Sequence, residues 1–280
     1  MGERVLEKLI LDNGQSIAFE KISPVVEGSW KDNSLKPYII FIHEGLGSMA
    51  MWKGFPMALC RRLNWPGIIY DRQGYGLSSP LSGKRTLHYL HGYALVELPG
   101  IIERLVPAGR PFFIVGHSDG GTIGLIYASE QNPGLRGVIT EAAHIFVEPV
   151  TIEGIKAAVE IFEERLLEPL SKYHGDKTRD IFNAWWEIWL APHFRYWNIE
   201  YLLPSIHCPV MAIQGVDDVY GTSAQVDGIV NGVSNGGVKV MIEKCGHSPH
   251  LEQRQVVLGK MADFMTEHMD GIIAWEPNNI

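Results

Sequence analysis

One stretch of the sequence restricts the fold more than any other, because an apolar run at 112–115 ends abruptly in Gly116-His117-Ser118-Asp119-Gly120-Gly121. A helical pattern of apolar residues follows over 122–128. A serine at the tip of a strand-to-helix turn lies in strained backbone, where the residues two before and two after it crowd each other. Glycine at both of these positions removes the crowding. The stretch predicts a nucleophile elbow centred on Ser118, and a chance Gly-x-Ser-x-Gly turn is the alternative.

Apolar runs of strand length alternate with helical patterns through most of the chain. A hairpin with its turn at 12–14 precedes buried-type runs at 37–43, 67–70, 112–115, 137–140, 209–214 and 238–242. Helical spacing occurs between or after them at 49–63, 87–105, 122–128 and 253–268. This alternation is typical of a doubly wound sheet. We therefore expect an α/β fold with a mostly parallel, eight-stranded sheet.

The alternation of strands and helices stops at about residue 143 and resumes at about residue 207. Helical patterns at 152–170 and 178–190 occupy the interval. We expect a core domain made of residues 1–142 and 207–280, with a helical cap inserted at 143–206. The last residues, 270–280, are expected to form a loose tail.

Composition and charge exclude several classes of function. The chain of 280 residues has a formal net charge of −8, and its basic residues form no cluster beyond 61–62 and 84–85, which argues against a nucleic-acid surface. No uncharged apolar run approaches the ~20 residues that cross a bilayer, and the N-terminus has no apolar h-region. Cys60, Cys208 and Cys245 lack disulfide or metal spacing. We expect a cytoplasmic protein with no cofactor, no metal, and no nucleic-acid or membrane partner.

A serine hydroxyl is a weak nucleophile, so Ser118 needs a base that takes its proton and a carboxylate that orients the base. Asp217 and Asp218 follow one predicted strand, and His247 follows the last one. Parallel strands bring groups at their carboxyl ends to one edge of the sheet. We expect Ser118, Asp218 and His247 to meet there, with Asp217 as the rival carboxylate.

Taken together, these motifs resemble the α/β-hydrolase superfamily over nearly the whole chain. The resembling segments are a His-Gly-x-x-Gly-Ser-like loop at 43–48, Asp-x-x-Gly-x-Gly-x-Ser at 71–78, the elbow, Gly-x-x-Asp at 215–218 and Gly-His-x-x-x-x-Glu at 246–252. The chain order serine, aspartate, histidine is also the order found in that superfamily. The resemblance implies the α/β-hydrolase fold, with Ser118 as nucleophile and His247 as general base and then acid. Asp218 is implied as the orienting carboxylate, because the Gly-x-x-Asp spacing ends on it.

The resemblance also implies an oxyanion hole made of backbone N–H groups. One belongs to Asp119, and the other belongs to the 43–48 loop, with Gly45 as first choice and Leu46 as second. Glu44 departs from the pattern, which places glycine directly after the histidine of this loop, and its carboxylate either bonds the loop or lies near the substrate. The Asp119 charge lies in the first turn of a predicted helix, where the helix dipole stabilises it by ~0.3–1 kcal/mol.

Aromatic residues in the cap segment indicate what the site accommodates. Phe182, Trp185 or Trp186, and Trp189 are spaced to share one helix face. Such a stripe packs as core or lines an apolar pocket. The residues expected to contact the substrate are Glu44, Trp52, His144, Trp185, Trp189, Trp197 and Tyr220. We therefore expect a small-molecule acyl substrate of apolar or aryl character.

Several reactions are compatible with this resemblance. A serine at the elbow argues against haloalkane dehalogenases and epoxide hydrolases, which use aspartate there. The leading hypothesis is a serine hydrolase, a carboxylesterase that cleaves a small ester through an acyl-enzyme. A carbon–carbon hydrolase of meta-cleavage type and a noncatalytic ligand-binding protein are the alternatives. The oligomeric state stays open, with a homodimer as one candidate.

Overall fold

The computed structural model describes residues 4–24 and 36–269, and within them eight strands form one sheet. The strands are β1 (Arg4–Ile10), β2 (Ser16–Ile22), β3 (Tyr38–Ile42), β4 (Gly67–Tyr70), β5 (Phe112–His117), β6 (Leu135–Glu141), β7 (Val210–Gly215) and β8 (Val238–Ile242). Their order is β1-β2-β4-β3-β5-β6-β7-β8. β2 pairs antiparallel with β1 and β4, whereas all other neighbours are parallel. The predicted mostly parallel sheet is confirmed.

Local sequence explains both the edge hairpin and the inner strands. At the turn between β1 and β2, Gly14 has a φ of 80°, a conformation that favours glycine, and the N–H of Leu11 donates to the carbonyl of Gln15 at 2.9 Å. The inner strands read as continuous apolar runs because helices cover both of their faces. Every residue of β4, β5 and β7 is buried.

The α-helices of the described residues surround this sheet and also fill the interval between β6 and β7. They are α1 (Phe55–Leu63), α2 (Tyr89–Gly92), α3 (Leu98–Leu105), α4 (Asp119–Ala128), α5 (Pro149–Glu160), α6 (Leu167–His174), α7 (Thr178–Trp189), α8 (Ser223–Gly232), α9 (Pro249–Glu252) and α10 (Arg254–Glu267). A π-helical turn, Tyr93–Glu97, joins α2 to α3. The helix α8 was not expected from the sequence pattern. At its start, the Thr222 hydroxyl accepts a hydrogen bond from the N–H of Ala224 at 3.1 Å and so caps the helix.

The sheet separates two hydrophobic layers, since successive residues of a strand point to opposite faces. On β3, Ile39 and Phe41 pack in one layer with residues of α1 and α10. Ile40 and Ile42 pack in the other layer with residues of α3, α4 and the segment between β6 and β7. A side chain can therefore be assigned to one face of the sheet by the layer in which it packs.

The segment between β6 and β7 contains α5, α6 and α7, and we call it the cap. Within it, Phe162 and Phe182 stack with their ring centroids 3.7 Å apart. Its boundaries as a domain, 143–206, and those of the core stay a prediction, and the tail predicted at 270–280 lies outside the described residues. Over 4–24 and 36–269, the helices are too short or too polar to span a membrane.

Candidate active site

β5 leads directly into α4 through a turn that has Ser118 at its tip. Ser118 has φ 50° and ψ −115°, a strained conformation for a residue with a side chain. A Cβ atom at Gly116 would stand 2.2 Å from the carbonyl oxygen of Gly120, and one at Gly120 would stand 2.1 Å from that of Ile42. The crowding that the sequence predicts is present, and glycine at both positions relieves it.

Asp218 and His247 contact each other beyond the carboxyl ends of β7 and β8. The Nδ1 atom of His247 lies 2.9 Å from Oδ2 of Asp218 and 3.0 Å from Oδ1. The N–H of Tyr220 donates to the same carboxylate at 2.9 Å. Burial opposes ionisation of Asp218, but the hydrogen bond from His247, the His247 charge and the N–H of Tyr220 together outweigh it, so the pKa of Asp218 is lowered. Of the two adjacent carboxylates, Asp218 is the one that contacts His247, and Asp217 is exposed.

Backbone contacts bring His247 beside the elbow. The Nε2 atom of His117 lies 2.6 Å from the carbonyl oxygen of His247, and the two rings have centroids 5.1 Å apart. Among the hydrogen bonds of the described residues there is none between the Ser118 hydroxyl and His247. Such catalytic contacts often tighten only when substrate is bound. His247 is therefore held at the residue that precedes Ser118, with its carboxylate contact already formed.

Gly45 lies where the loop after β3 meets the cap. A Cβ atom at Gly45 would stand 2.8 Å from Nε1 of Trp185. The Tyr75 hydroxyl donates to the carbonyl of Gly45 at 2.8 Å, and Nε2 of His174 lies 2.9 Å from the carbonyl oxygen of Leu46. Side chains from outside the loop thus fix the backbone at both predicted loop donors, Gly45 and Leu46.

The carboxylate of Asp119, beside Ser118, is buried and lies close to a buried guanidinium. Nη1 of Arg72 lies 3.6 Å from Oδ2 of Asp119, with the two side chains 0% and 2% exposed. Arg72 also donates from Nη2 to the carbonyl of Glu44 at 2.7 Å, so it joins the elbow to the 43–48 loop. Sequence reasoning missed Arg72 because it fills an unspecified position of the 71–78 motif. Its place directly after a buried strand was the available signal.

Tyr89 connects Asp119 to the cap. Its hydroxyl oxygen lies 3.2 Å from both carboxylate oxygens of Asp119 and accepts a hydrogen bond from Nε1 of Trp189 at 2.9 Å. Burial and the Asp119 charge raise the pKa of Tyr89, so the hydroxyl keeps its proton and donates a hydrogen bond to Asp119. Sequence reasoning also missed Tyr89, because it has the appearance of an ordinary apolar residue of a helix.

Four of the predicted pocket residues form a group around His247. The ring centroid of Tyr220 is 4.8 Å from His247 and 6.5 Å from Trp185. That of His144 is 6.3 Å from His247 and 5.4 Å from Trp189. Nε2 of His144 donates to the carbonyl of Tyr220 at 2.9 Å, because a carbonyl only accepts. Burial lowers the pKa of His144, so its ring is neutral and Nδ1 is an acceptor.

Trp52 lies on the opposite face of the sheet from these residues. It is 1% exposed and packs in the hydrophobic layer of α1, where its ring centroid is 5.7 Å from Phe41 and 6.1 Å from Phe55. The cap tryptophans belong to the other layer. The expectation that Trp52 lines the substrate pocket is therefore corrected. Its indole packs in the hydrophobic layer on the far side of the sheet from the cap.

Trp197 and Glu44, also predicted to contact substrate, are engaged elsewhere. Trp197 stacks on Phe194 at 5.4 Å and contacts Trp189 at 5.8 Å, which places it in the packed interior of the cap. Oε2 of Glu44 lies 3.4 Å from Nδ1 of His117. Of the two alternatives for Glu44, the structure thus favours the carboxylate that bonds the loop region over one that faces substrate.

The described residues contain no group of three or more His, Cys, Asp or Glu side chains arranged to hold a metal ion. Cys60, Cys208 and Cys245 are not joined in disulfides. Burial raises the pKa of Cys208 to about 11 and, with nearby carboxylates, that of Cys245 to about 12. Both therefore stay protonated at neutral pH, when a thiol is a poor nucleophile and a poor metal ligand.

Residues 39–259 match the sequence model of the Alpha/beta hydrolase family. The chain belongs to this family. The match includes the elbow, the Asp218 and His247 loops and the cap, so the geometry above lies within the part of the chain that defines the family. The expected superfamily and fold are confirmed.

Three proteins that are similar to this chain have names that describe different reactions. A 2-succinyl-6-hydroxy-2,4-cyclohexadiene-1-carboxylate synthase from Escherichia fergusonii is 22% identical over 155 residues, or 54% of each chain, so this chain spans about half the length of that relative. The enol-lactonase from Burkholderia xenovorans LB400 has a TM-score of 0.70 at 17% identity, with 93% of this chain and 100% of that chain covered. A serine hydrolase involved in carbazole degradation has a TM-score of 0.70 at 16% identity, with 95% and 100% covered. At such identities the likeness of these structures shows the fold alone.

Proposed function

We propose that this protein is a serine hydrolase that cleaves a small carboxylic ester, with Ser118, His247 and Asp218 as its catalytic triad. The observation that carries the proposal is the contact of a largely buried Asp218 carboxylate with Nδ1 of His247, beside a strained serine at a helix N-terminus. Membership of the Alpha/beta hydrolase family supports hydrolytic chemistry in general. The choice of an ester comes from the site.

In the proposed reaction the Ser118 oxygen attacks the ester carbonyl while Nε2 of His247 takes the hydroxyl proton. The imidazolium that forms is stabilised by Asp218, which also holds the ring in the tautomer with its proton on Nδ1. His247 then gives its proton to the departing alcohol, which leaves an acyl group on Ser118. A water molecule, deprotonated by His247, attacks the acyl carbon; the bond to the Ser118 oxygen then breaks, His247 returns the proton to that oxygen, and the acid is released.

The developing oxyanion needs donors that are already in place before the reaction. We assign this role to the backbone N–H of Asp119, at the start of α4, and to that of Gly45, with Leu46 as the second choice. The helix dipole of α4 adds to the positive potential there. The charge of the Asp119 side chain would oppose it, but Arg72 lies 3.6 Å away and compensates that charge.

The groups around the proposed triad favour an apolar or aryl acyl compound. Aromatic surface is supplied by Trp185 and Trp189 of the cap and by Tyr220 of the loop after β7. The neutral ring of His144 adds one hydrogen-bond acceptor. Pockets of this composition bind apolar groups and orient them through a few polar contacts. A small aryl ester therefore fits the site better than a charged or polymeric substrate.

The test is turnover of a panel of small esters, thioesters and lactones by the wild-type protein and by Ser118→Ala. We expect turnover of at least one aryl ester, loss of that activity in Ser118→Ala, and labelling of Ser118 by a fluorophosphonate probe. Ser82→Ala, which changes an exposed serine, is the matched control. Unchanged turnover in Ser118→Ala, or labelling at another residue, would refute the proposal.

Hydrolysis of a carbon–carbon bond in a ring-fission product is the second candidate. The rings of His144 and Tyr220 beside His247 favour it, and the solved hydrolase involved in carbazole degradation shares the fold. Turnover restricted to vinylogous diketones would support this reaction, whereas much faster turnover of simple aryl esters would exclude it. Tight ligand binding without product, unaffected by His247→Ala, would instead indicate a noncatalytic binding protein.

A further inference from the structure

His117 is a buried residue that the proposed reaction does not use, although it directly precedes Ser118. Its Nε2 atom lies 2.6 Å from the carbonyl oxygen of His247, which can only accept a hydrogen bond. Its Nδ1 atom lies 3.4 Å from Oε2 of Glu44. Nε2 thus carries a proton, and Nδ1 lies at ion-pair distance from a carboxylate, an arrangement that suits the doubly protonated imidazolium.

Glu44 supplies the opposite charge from the loop that carries the proposed donor Gly45. Its carboxylate folds back beneath this loop, since a Cβ atom at Gly47 would stand 2.2 Å from Cδ of Glu44. The side chain of Glu44 is 19% exposed and that of His117 is 2% exposed, so the pair is shielded from most of the solvent. The backbone of Glu44 is itself held by Arg72, which donates to its carbonyl at 2.7 Å.

Three further ionisable side chains pack beside His117, namely Glu141, His250 and His247, whose ring centroid is 5.1 Å away. Glu141 lies below it at the end of β6 and is bound at 2.6 Å by Nδ1 of His250. The ring of His250 is 5.0 Å from that of His117. Burial alone would lower the pKa of His117, but Glu44 and then Glu141 raise it to about 9. Burial raises the pKa of Glu44, but the contact with His117 and the charge of His117 lower it overall.

We propose that the Glu44–His117 ion pair fixes the position of the 43–48 loop, here called the oxyanion loop, relative to the loop of His247, so that both are held beside Ser118. Both are positioning residues, and the proposal rests on the proposed function. Glu44 follows β3, His117 ends β5 and His247 follows β8. The His117 ring contacts both of the other residues and so joins these three parts of the chain. When His117 loses its proton, its Nδ1 lone pair faces the Glu44 carboxylate and the tie to the oxyanion loop is lost.

The test compares Glu44→Gln, which keeps the shape and removes the charge, with Glu44→Asp, which keeps the charge. We expect Glu44→Gln to lower kcat for an aryl ester by about tenfold to a hundredfold, as small displacements of catalytic groups do, with KM within about twofold. The alkaline limb of its pH profile should move to lower pH, because His117 then loses its proton more readily. Glu44→Asp should recover part of the activity.

The matched control is Glu163→Gln, which removes an exposed ion pair with Arg179 in the cap and should leave kcat unchanged. Protein labelled with ¹⁵N-histidine, assigned with His117→Gln, gives a readout that needs no turnover. At pH 7.5 we expect protons on both ring nitrogens of His117 in the wild type and on one in Glu44→Gln. A neutral ring in the wild type, or a kcat of Glu44→Gln equal to that of Glu163→Gln, would overturn the proposal.

Ser118→Ala, measured in the same series, separates the two proposals. If it is inactive while Glu44→Gln keeps wild-type kcat and pH profile, the positioning role fails and the proposed hydrolase stands. If Ser118→Ala stays active, the proposed function fails, and the ring protons of His117 alone decide whether the ion pair exists.

Discussion

Replacing Asp218 by asparagine removes one charge from the proposed triad and little else. In the reaction, His247 becomes positive while Nδ1 is 2.9 Å from a carboxylate whose side chain is 1% exposed. Two unit charges whose centres are about 4 Å apart attract each other by about 4 kcal/mol at an effective dielectric constant of about 20. Since each 1.36 kcal/mol is about tenfold in rate, we expect Asp218→Asn to lower kcat by about a thousandfold.

The loss is measured as initial rates of aryl ester hydrolysis, with active sites counted by fluorophosphonate labelling so that misfolded protein does not lower the apparent kcat. Asp217→Asn is the matched control, because it makes the same change at the adjacent, exposed position. We expect it to stay within about twofold of the wild type, in line with the small effect of surface charges. A loss below tenfold in Asp218→Asn, or an equal loss in Asp217→Asn, would refute the assignment.

Three further predictions concern the surroundings of the site. Gly120→Ala should lower the free energy of unfolding, measured in urea, by about 3 kcal/mol or more, because its Cβ atom would stand 2.1 Å from the Ile42 carbonyl oxygen. Gly259→Ala, in open space on α10, should raise this free energy by ~0.5–1 kcal/mol, and equal effects of the two changes would contradict the elbow geometry. Tyr89→Phe leaves Nε1 of Trp189 without its acceptor and should cost about 1–3 kcal/mol in the same titration, with kcat reduced more than KM is changed; a wild-type kcat would show that Asp119 does not depend on this hydroxyl. The difference in free energy of unfolding between wild type and Glu44→Gln should be widest near pH 6 and vanish by about pH 10. Because the pKa of His117 is raised to about 9, the ion pair stabilises the fold fully below the usual pKa of 6.5, and this stabilisation is lost as the pH rises past about 9. A difference that grows with pH would contradict the prediction.

The sequence predicted what depends on chain order and periodicity. Long apolar runs allowed every strand of the described sheet to be located, and the Gly-x-x-Asp spacing favoured Asp218 over Asp217, which is the carboxylate that contacts His247. The helix α8 was not predicted, because glycines at 228 and 232 weaken its helical pattern.

The direction of individual side chains was not predictable in the same way. Trp52 follows the 43–48 loop in sequence, yet it packs on the face of the sheet opposite the cap, where its ring contacts Phe41 and Phe55. Arg72 and Tyr89 reach Asp119 from segments that are far apart in the chain. Contacts of this kind leave no periodic signal in a single sequence.

The close approach of Gly45 to Trp185 links two parts of the chain that are 140 positions apart. Any side chain at position 45 would collide with the indole, since even a Cβ atom would stand 2.8 Å from its Nε1. If the cap were replaced by that of another hydrolase, the side chain facing position 45 would decide which residue fits there. A residue larger than glycine at 45 would need a side chain smaller than tryptophan at 185. Redesign of the proposed acyl specificity thus has to exchange the 43–48 loop and the cap helix together.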